Sequence, residues 1–163
     1  MKIWGRLSLG LYFLFLSWLI LFKLSVNIGS FLANHHGRSL NLIPLASSGG
    51  RLEVLLNVLV FIPLALMLAV VMKQWSFGQK FFLLVLLSFV YESLQYIFAI
   101  GATDITDLIT NSLGALIGLG IYWLFTRIFS EESLDKVCVV ATWLVMLAFV
   151  GVTTSHLLLR IIR

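Results

Sequence analysis

Glu92, Gln95, Asp104, Asp107 and Asn111 follow one another through two stretches otherwise built of Leu, Val, Phe and Ile. A charge near the centre of a bilayer costs about 2.5–3.5 kcal/mol on insertion scales, so such residues need a reason. Ser88, Glu92 and Gln95 stand at i, i+4 and i+7; Asp104, Asp107, Asn111, Gly114 and Gly118 stand at i, i+3, i+7, i+10 and i+14. Each set occupies one helical face. The chemistry open to it is acid–base or ligating. Glu92 would be a buried acid suited to general acid–base work, with Asp107 as the second catalytic carboxylate. Asp104 and Asp107 offer oxygen ligands to a divalent cation, or acceptors to sugar hydroxyls. Gln95, Asp104, Asn111, Asn57, Glu53 and Arg51 are the substrate-binding candidates.

Structural roles compete with each of these. Asp104 and Asp107 also suit the start of a helix, one as N-cap and the other on the positive end of the dipole. Gln95 and Asn111 would serve as interhelical hydrogen-bond glue. His35-His36 reads as a solvated loop pair rather than a metal site, and Cys138, in an apolar run, as inert.

The elements that carry these residues follow from composition. Of 163 residues, 61% are hydrophobic and 11% charged, and mean hydropathy is +1.07. Soluble domains run nearer ~45–50% apolar and ~25% charged. A soluble enzyme, a disordered chain and a disulfide scaffold are excluded; an integral membrane protein remains. Apolar runs at about 7–26, 54–72, 81–100, 104–129 and 137–159 are near the ~20 residues of a spanning helix, not the ~10 of a barrel strand. The expected fold is all-α: one polytopic transmembrane bundle over 1–163 with about five spans, the third and fourth an antiparallel hairpin. The first run, behind Lys2 and Arg6, is too long for a signal peptide, and Phe31 stands at −3 to the nearest plausible cleavage residue, Ala33; a retained signal-anchor is expected.

Folding that hairpin about Ala102 sets Glu92 level with Asn111 and Gln95 level with Asp107 or Leu108, so the two polar faces would meet as one cluster. Glu53 and Asn57 would add a third side from the second span, with Arg51, Arg38, His35 and His36 closing its mouth. Pro63 would kink that span and free a carbonyl. Gly114 and Gly118 permit close helix approach. Lys73 and Lys80 in one short turn favour a cytoplasmic N-terminus and a cluster facing the outer leaflet. The basic residues, at helix ends, read as topology signals and not as a nucleic-acid site.

The blocks Asn41-Leu42-Ile43-Pro44, Glu53 to Asn57 and Phe61-Ile62-Pro63-Leu64, Tyr91-Glu92 to Gln95, and Gly101 through Gly114 resemble the VanZ-like family, over about residues 10–129 in consistent order. Where many members carry an arginine after the glycine of the last block, this chain has Ala102, so an anion-binding role would pass to Arg51 or Arg38. The resemblance implies a small polytopic protein of the bacterial plasma membrane, linked to low-level resistance to teicoplanin, a lipoglycopeptide that acts outside the membrane. It supplies no molecular activity and no cofactor. The expected function is an acidic pocket that binds or modifies a lipid-linked envelope molecule, with the bilayer, a lipid-linked cell-wall molecule and a glycopeptide as partners. The alternatives are a small transporter, flippase or ion pathway, and a structural or partner-binding subunit. Against conduction, the polar residues stop midway along both spans.

Overall fold

The computed structural model describes residues 2–22, 39–44, 50–99 and 102–161. Five helices carry them: α1 (Lys2–Phe22), α2 (Arg51–Val71), α3 (Phe77–Phe98), α4 (Ile105–Phe125) and α5 (Glu131–Ile161). All five are long and apolar enough to cross a membrane, because in hydrocarbon each backbone N–H and C=O must be satisfied within its own segment. The transmembrane bundle expected from composition is the fold observed.

Local chemistry sets the ends. Ser76 and Gln79 form a reciprocal capping box, Gln79 N–H to Ser76 Oγ at 3.3 Å and Ser76 N–H to Gln79 Oε1 at 2.8 Å, which starts α3 inside the expected basic turn. Ala99, left-handed at φ 52, ends it. The charged segment before the fifth span is not a loop. Ser130 Oγ accepts from Ser133 N–H, and Glu131 and Glu132 lie on the positive end of the dipole, so α5 begins at Glu131.

α2 is the centre of the bundle. Phe61, Leu64, Ala65, Met67 and Leu68 are buried, and its most extensive neighbour is α4. The cause is Gly114 and Gly118. A Cβ at Gly114 would come within 2.2 Å of the Val58 carbonyl oxygen, and one at Gly118 within 2.6 Å of that of Ile62. Only glycine lets the two backbones approach so closely. α1 crosses the other face of α2, where Tyr12 donates its hydroxyl to the Val60 carbonyl at 2.8 Å. That carbonyl is one residue beyond Leu59, whose oxygen loses its helical donor to Pro63. Trp143 Nε1 donates to Ser8 Oγ at 3.0 Å and ties α5 to α1. On the outside, α5 presents Val137, Val140, Leu144 and Leu147 at helical spacing, all exposed. Such stripes are suited to lipid.

One element lies outside the helical expectation. The stretch expected to be a plain turn between α3 and α4 contains a strand, β2 (Ala102–Asp104), paired in parallel with β1 (Ser39–Asn41) in the register Ser39↔Ala102, Leu40↔Thr103, Asn41↔Asp104. Parallel strands need a long crossover; here it is the α2–α3 pair.

Candidate functional site

The short ladder fixes the start of α4. Asp104, at the register position of Asn41, has an extended backbone and caps α4, with Oδ1 accepting from Thr106 N–H at 2.8 Å. Its Oδ2 accepts from Asn41 Nδ2 at 3.0 Å. Its own N–H donates to Glu92 Oε2 at 3.0 Å, and Thr103 Oγ1 donates to the Glu92 carbonyl at 3.2 Å. Glu92 and Asp104 are both buried. Burial pushes the Asp104 carboxyl up, but the hydrogen bonds from Thr106 and Asn41 outweigh it and hold the group below its ordinary 3.8.

One turn into α4, Asp107 Oδ1 accepts from Asn57 Nδ2 of α2 at 2.7 Å. These two side chains lie in a cavity of about 300 Å³ with Glu53 and Gln95. Its apolar wall comes from three helices: Leu19 and Ile20 of α1, Leu52, Leu56 and Val60 of α2, and Phe149 of α5. Gln95 is buried and donates Nε2 to the Ile20 carbonyl at 3.1 Å, while its Oε1 is buried without a partner.

The polar residues of the expected cluster make three sets of contacts. Glu53, Asn57, Gln95 and Asp107 share the cavity. Glu92 and Asp104 form a buried node behind it, at the joint of α3, β2 and α4. Asn111 Nδ2 donates to Ser88 Oγ at 3.0 Å, one turn farther from the joint than Glu92, and its Oδ1 is buried without a partner. The shift arises because the α3–α4 connection spends three residues on a strand. Arg51 is exposed at the first turn of α2 and does not line the cavity. His35, His36 and Arg38 lie outside the described residues. Both Asp104 oxygens already accept hydrogen bonds, and among the described residues no three His, Cys, Asp or Glu side chains converge as a metal site.

Two features escaped the reading of polar residues in spans. Asn41 orients Asp104 from a strand that no hydropathy pattern indicates; its place in the Asn41–Pro44 block is the one signal for it. The second is a polar cluster at the opposite end of the bundle, beside a cavity of about 560 Å³ lined by Arg6, Lys73, Glu131, Glu132 and Asp135 among others. Lys73 Nζ contacts Glu131 Oε2 at 2.7 Å and Asp135 Oδ2 at 2.8 Å, and Tyr122 donates its hydroxyl to Asp135 Oδ1 at 2.8 Å. Burial pulls the Lys73 ammonium down, but the two carboxylates outweigh it and raise it above its ordinary 10.5. The i, i+4 spacing of Glu131 and Asp135 was the available signal.

The sequence profile of the family described as VanZ/LLP1 matches residues 9–126. Protein VanZ of Enterococcus faecium is 44% identical over 156 residues, covering 96% of each chain. No solved structure matches.

Proposed function

We propose that this chain, which belongs to the VanZ/LLP1 family, binds the donor-rich headgroup of a lipid-linked envelope molecule in the Asp107 cavity, and thereby supports tolerance to lipoglycopeptides such as teicoplanin. The observation that carries this reading is one space of about 300 Å³ in which two carboxylates and two carboxamides face an aliphatic and aromatic wall. Ligand sites combine apolar lining with a few placed polar groups in this way.

Gln95 specifies the chemistry. The Ile20 carbonyl only accepts, so the nitrogen of the Gln95 amide has to face it, and the oxygen is left over. A buried acceptor without a donor costs about 1–3 kcal/mol, which a ligand hydroxyl, amide or ammonium recovers. The carboxyl groups of Glu53 and Asp107 line the same space and add acceptor oxygens to it. The matching ligand carries several donors next to a long apolar chain; a lipid-linked sugar has both. Lys73 and Lys80 beyond the far end of α2 support an orientation with this cavity toward the outer leaflet of the plasma membrane.

Binding requires no bond to break. Glu92, which does not line the cavity, acts as a positioning residue by holding the Asp104 amide and with it the helix start that presents Asp107. Val60, Phe61, Leu64, Met67 and Leu68, all buried, separate the two polar ends, which weighs against a conducting path.

The test is retention of a fluorescent lipid-linked saccharide by the purified chain in nanodiscs, alongside teicoplanin tolerance of cells expressing it. Asp107→Asn removes a charged acceptor and is expected to weaken retention roughly tenfold or more, with tolerance lowered at equal protein level. Gln95→Met is expected to act in the same direction. Unchanged retention and tolerance in both variants overturn the proposal.

A further inference from the structure

We propose a second lipid site at the other end of the bundle: the groove between α1, α2 and α3 takes one acyl chain of an anionic phospholipid, and Arg6 takes its phosphate. The groove encloses about 390 Å³, and apart from Arg6 its lining is apolar, with Gly10 and Phe13 from α1, Leu68 from α2, and Leu84 and Leu87 from α3.

Glycine placement on α1 opens it. At Gly5 a Cβ would touch Val70 and Val71 at 3.4 and 3.5 Å, so α1 lies close against α2 there; at Gly10 a Cβ would meet nothing within 4 Å. The helix thus leaves a slot where a side chain would otherwise stand. Arg6 sits one turn before Gly10, at the end of the groove where α2 terminates in Met72.

Charge complementarity selects the headgroup. Among the described residues, the carboxylates at this end are engaged by lysines: Glu131 and Asp135 by Lys73, and Glu132 by Lys136. Arg6 is exposed and takes part in none of these pairs. Its planar fork of donors fits a phosphate. A phosphodiester with a net negative charge is therefore favoured over a zwitterionic headgroup, in which an ammonium cancels the attraction.

The full chain, reconstituted into phosphatidylcholine vesicles doped with spin-labelled lipid, tests this through the motionally restricted fraction. Spin-labelled phosphatidylglycerol is expected to be retained roughly fivefold over spin-labelled phosphatidylcholine, the factor one basic residue beside an anionic lipid provides. Arg6→Gln is expected to abolish that preference while leaving a restricted population of both lipids. Gly10→Leu is expected to reduce that population for both. Gly120→Leu, at a glycine of α4 equally open to a Cβ, is expected to leave it intact. Should Gly10→Leu fail to accumulate, Leu87→Trp closes the same groove from α3. Equal retention of the two lipids by the unaltered chain, a preference that survives Arg6→Gln, or a restricted population untouched by groove filling each overturns the proposal. None of these outcomes depends on the Asp107 cavity.

Discussion

The two ends of this bundle both concentrate polar side chains, and they solve the cost of doing so differently. At the basic end a lysine is brought to the carboxylates: Lys73 bridges Glu131 and Asp135, and Tyr122 completes the Asp135 shell. At the other end amides and backbone N–H groups are brought to the carboxylates: Asn41 and Thr106 to Asp104, Asn57 to Asp107, and the Asp104 amide to Glu92. Ion pairing ties α5 to the turn after α2. These hydrogen bonds at the other end are those of amide and backbone donors, which orient the carboxylates they meet. On the proposed reading, one end serves architecture and the other recognition.

The sharpest way to break this contrast acts on what the two ends share. Gly114→Ala forces a Cβ toward the Val58 carbonyl and is expected to destabilise the chain by about 1–3 kcal/mol or more. Thermal unfolding in detergent should show both ends failing together; an unchanged transition would mean that α2 and α4 are not held by this contact.

Smaller effects separate the ends. Asp104→Ala removes a helix cap and is expected to cost about 0.5–2 kcal/mol and to lower ligand retention, because the cap orients the turn that carries Asp107. Asp135→Ala leaves the Tyr122 hydroxyl without its acceptor, at about 1–3 kcal/mol, and ligand retention by the folded fraction is expected to stay as it was. If Asp135→Ala lowers retention as much as Asp104→Ala does, the division of labour fails.

Smaller again is Glu92→Gln. A glutamine oxygen still accepts from the Asp104 N–H, so protein level is expected to hold, while teicoplanin tolerance falls by less than in Asp107→Asn. Tolerance and level both unchanged would remove Glu92 from the site; a collapsed level would make it architectural.

The smallest effect is in pH dependence, where the ends move oppositely. The Asp104 carboxyl lies below its ordinary 3.8, so its stabilisation is complete above that value and is lost as pH falls through the folded value. The Lys73 ammonium lies above its ordinary 10.5, so its contribution is complete below that value and is lost as pH rises through the folded value. Asp104→Asn should flatten the acid limb of a stability profile, whereas Lys73→Met should flatten the alkaline limb and also trim the acid limb, because Lys73 holds the Glu131 carboxyl below its ordinary value. The Lys73 effect should be slight, since its side chain is 41% exposed and water screens the pair.

Particular residues show how much was legible beforehand. The polar faces on spans three and four could be read, because a helix repeats every 3.6 residues and spacing alone assigns a face. Asp107 and Gln95 stand out in this way, Glu53 and Asn57 by their one-turn spacing at the start of span two, and the four share a cavity. The Asn111–Ser88 bond joins the two expected faces one turn from the level of Glu92, because the depth of one helix against another depends on the connection, and that connection contains a strand whose partner lies 63 residues away. The charged run after Arg127 read as a loop because charge signals solvent, yet Ser130 and two glutamates are also a good helix start.

Run length and composition on their own determined that the described residues make five helices long and apolar enough to span a membrane, since in lipid each backbone amide must find its partner a few residues away, which makes the choice of element local. Only the tertiary structure decided that the glycines of α4 meet α2, that Asn41 reaches Asp104, and that α1 and α5 wall the cavity. A face on a helix states which side seeks a partner; which helix answers depends on shape complementarity between segments far apart in the chain.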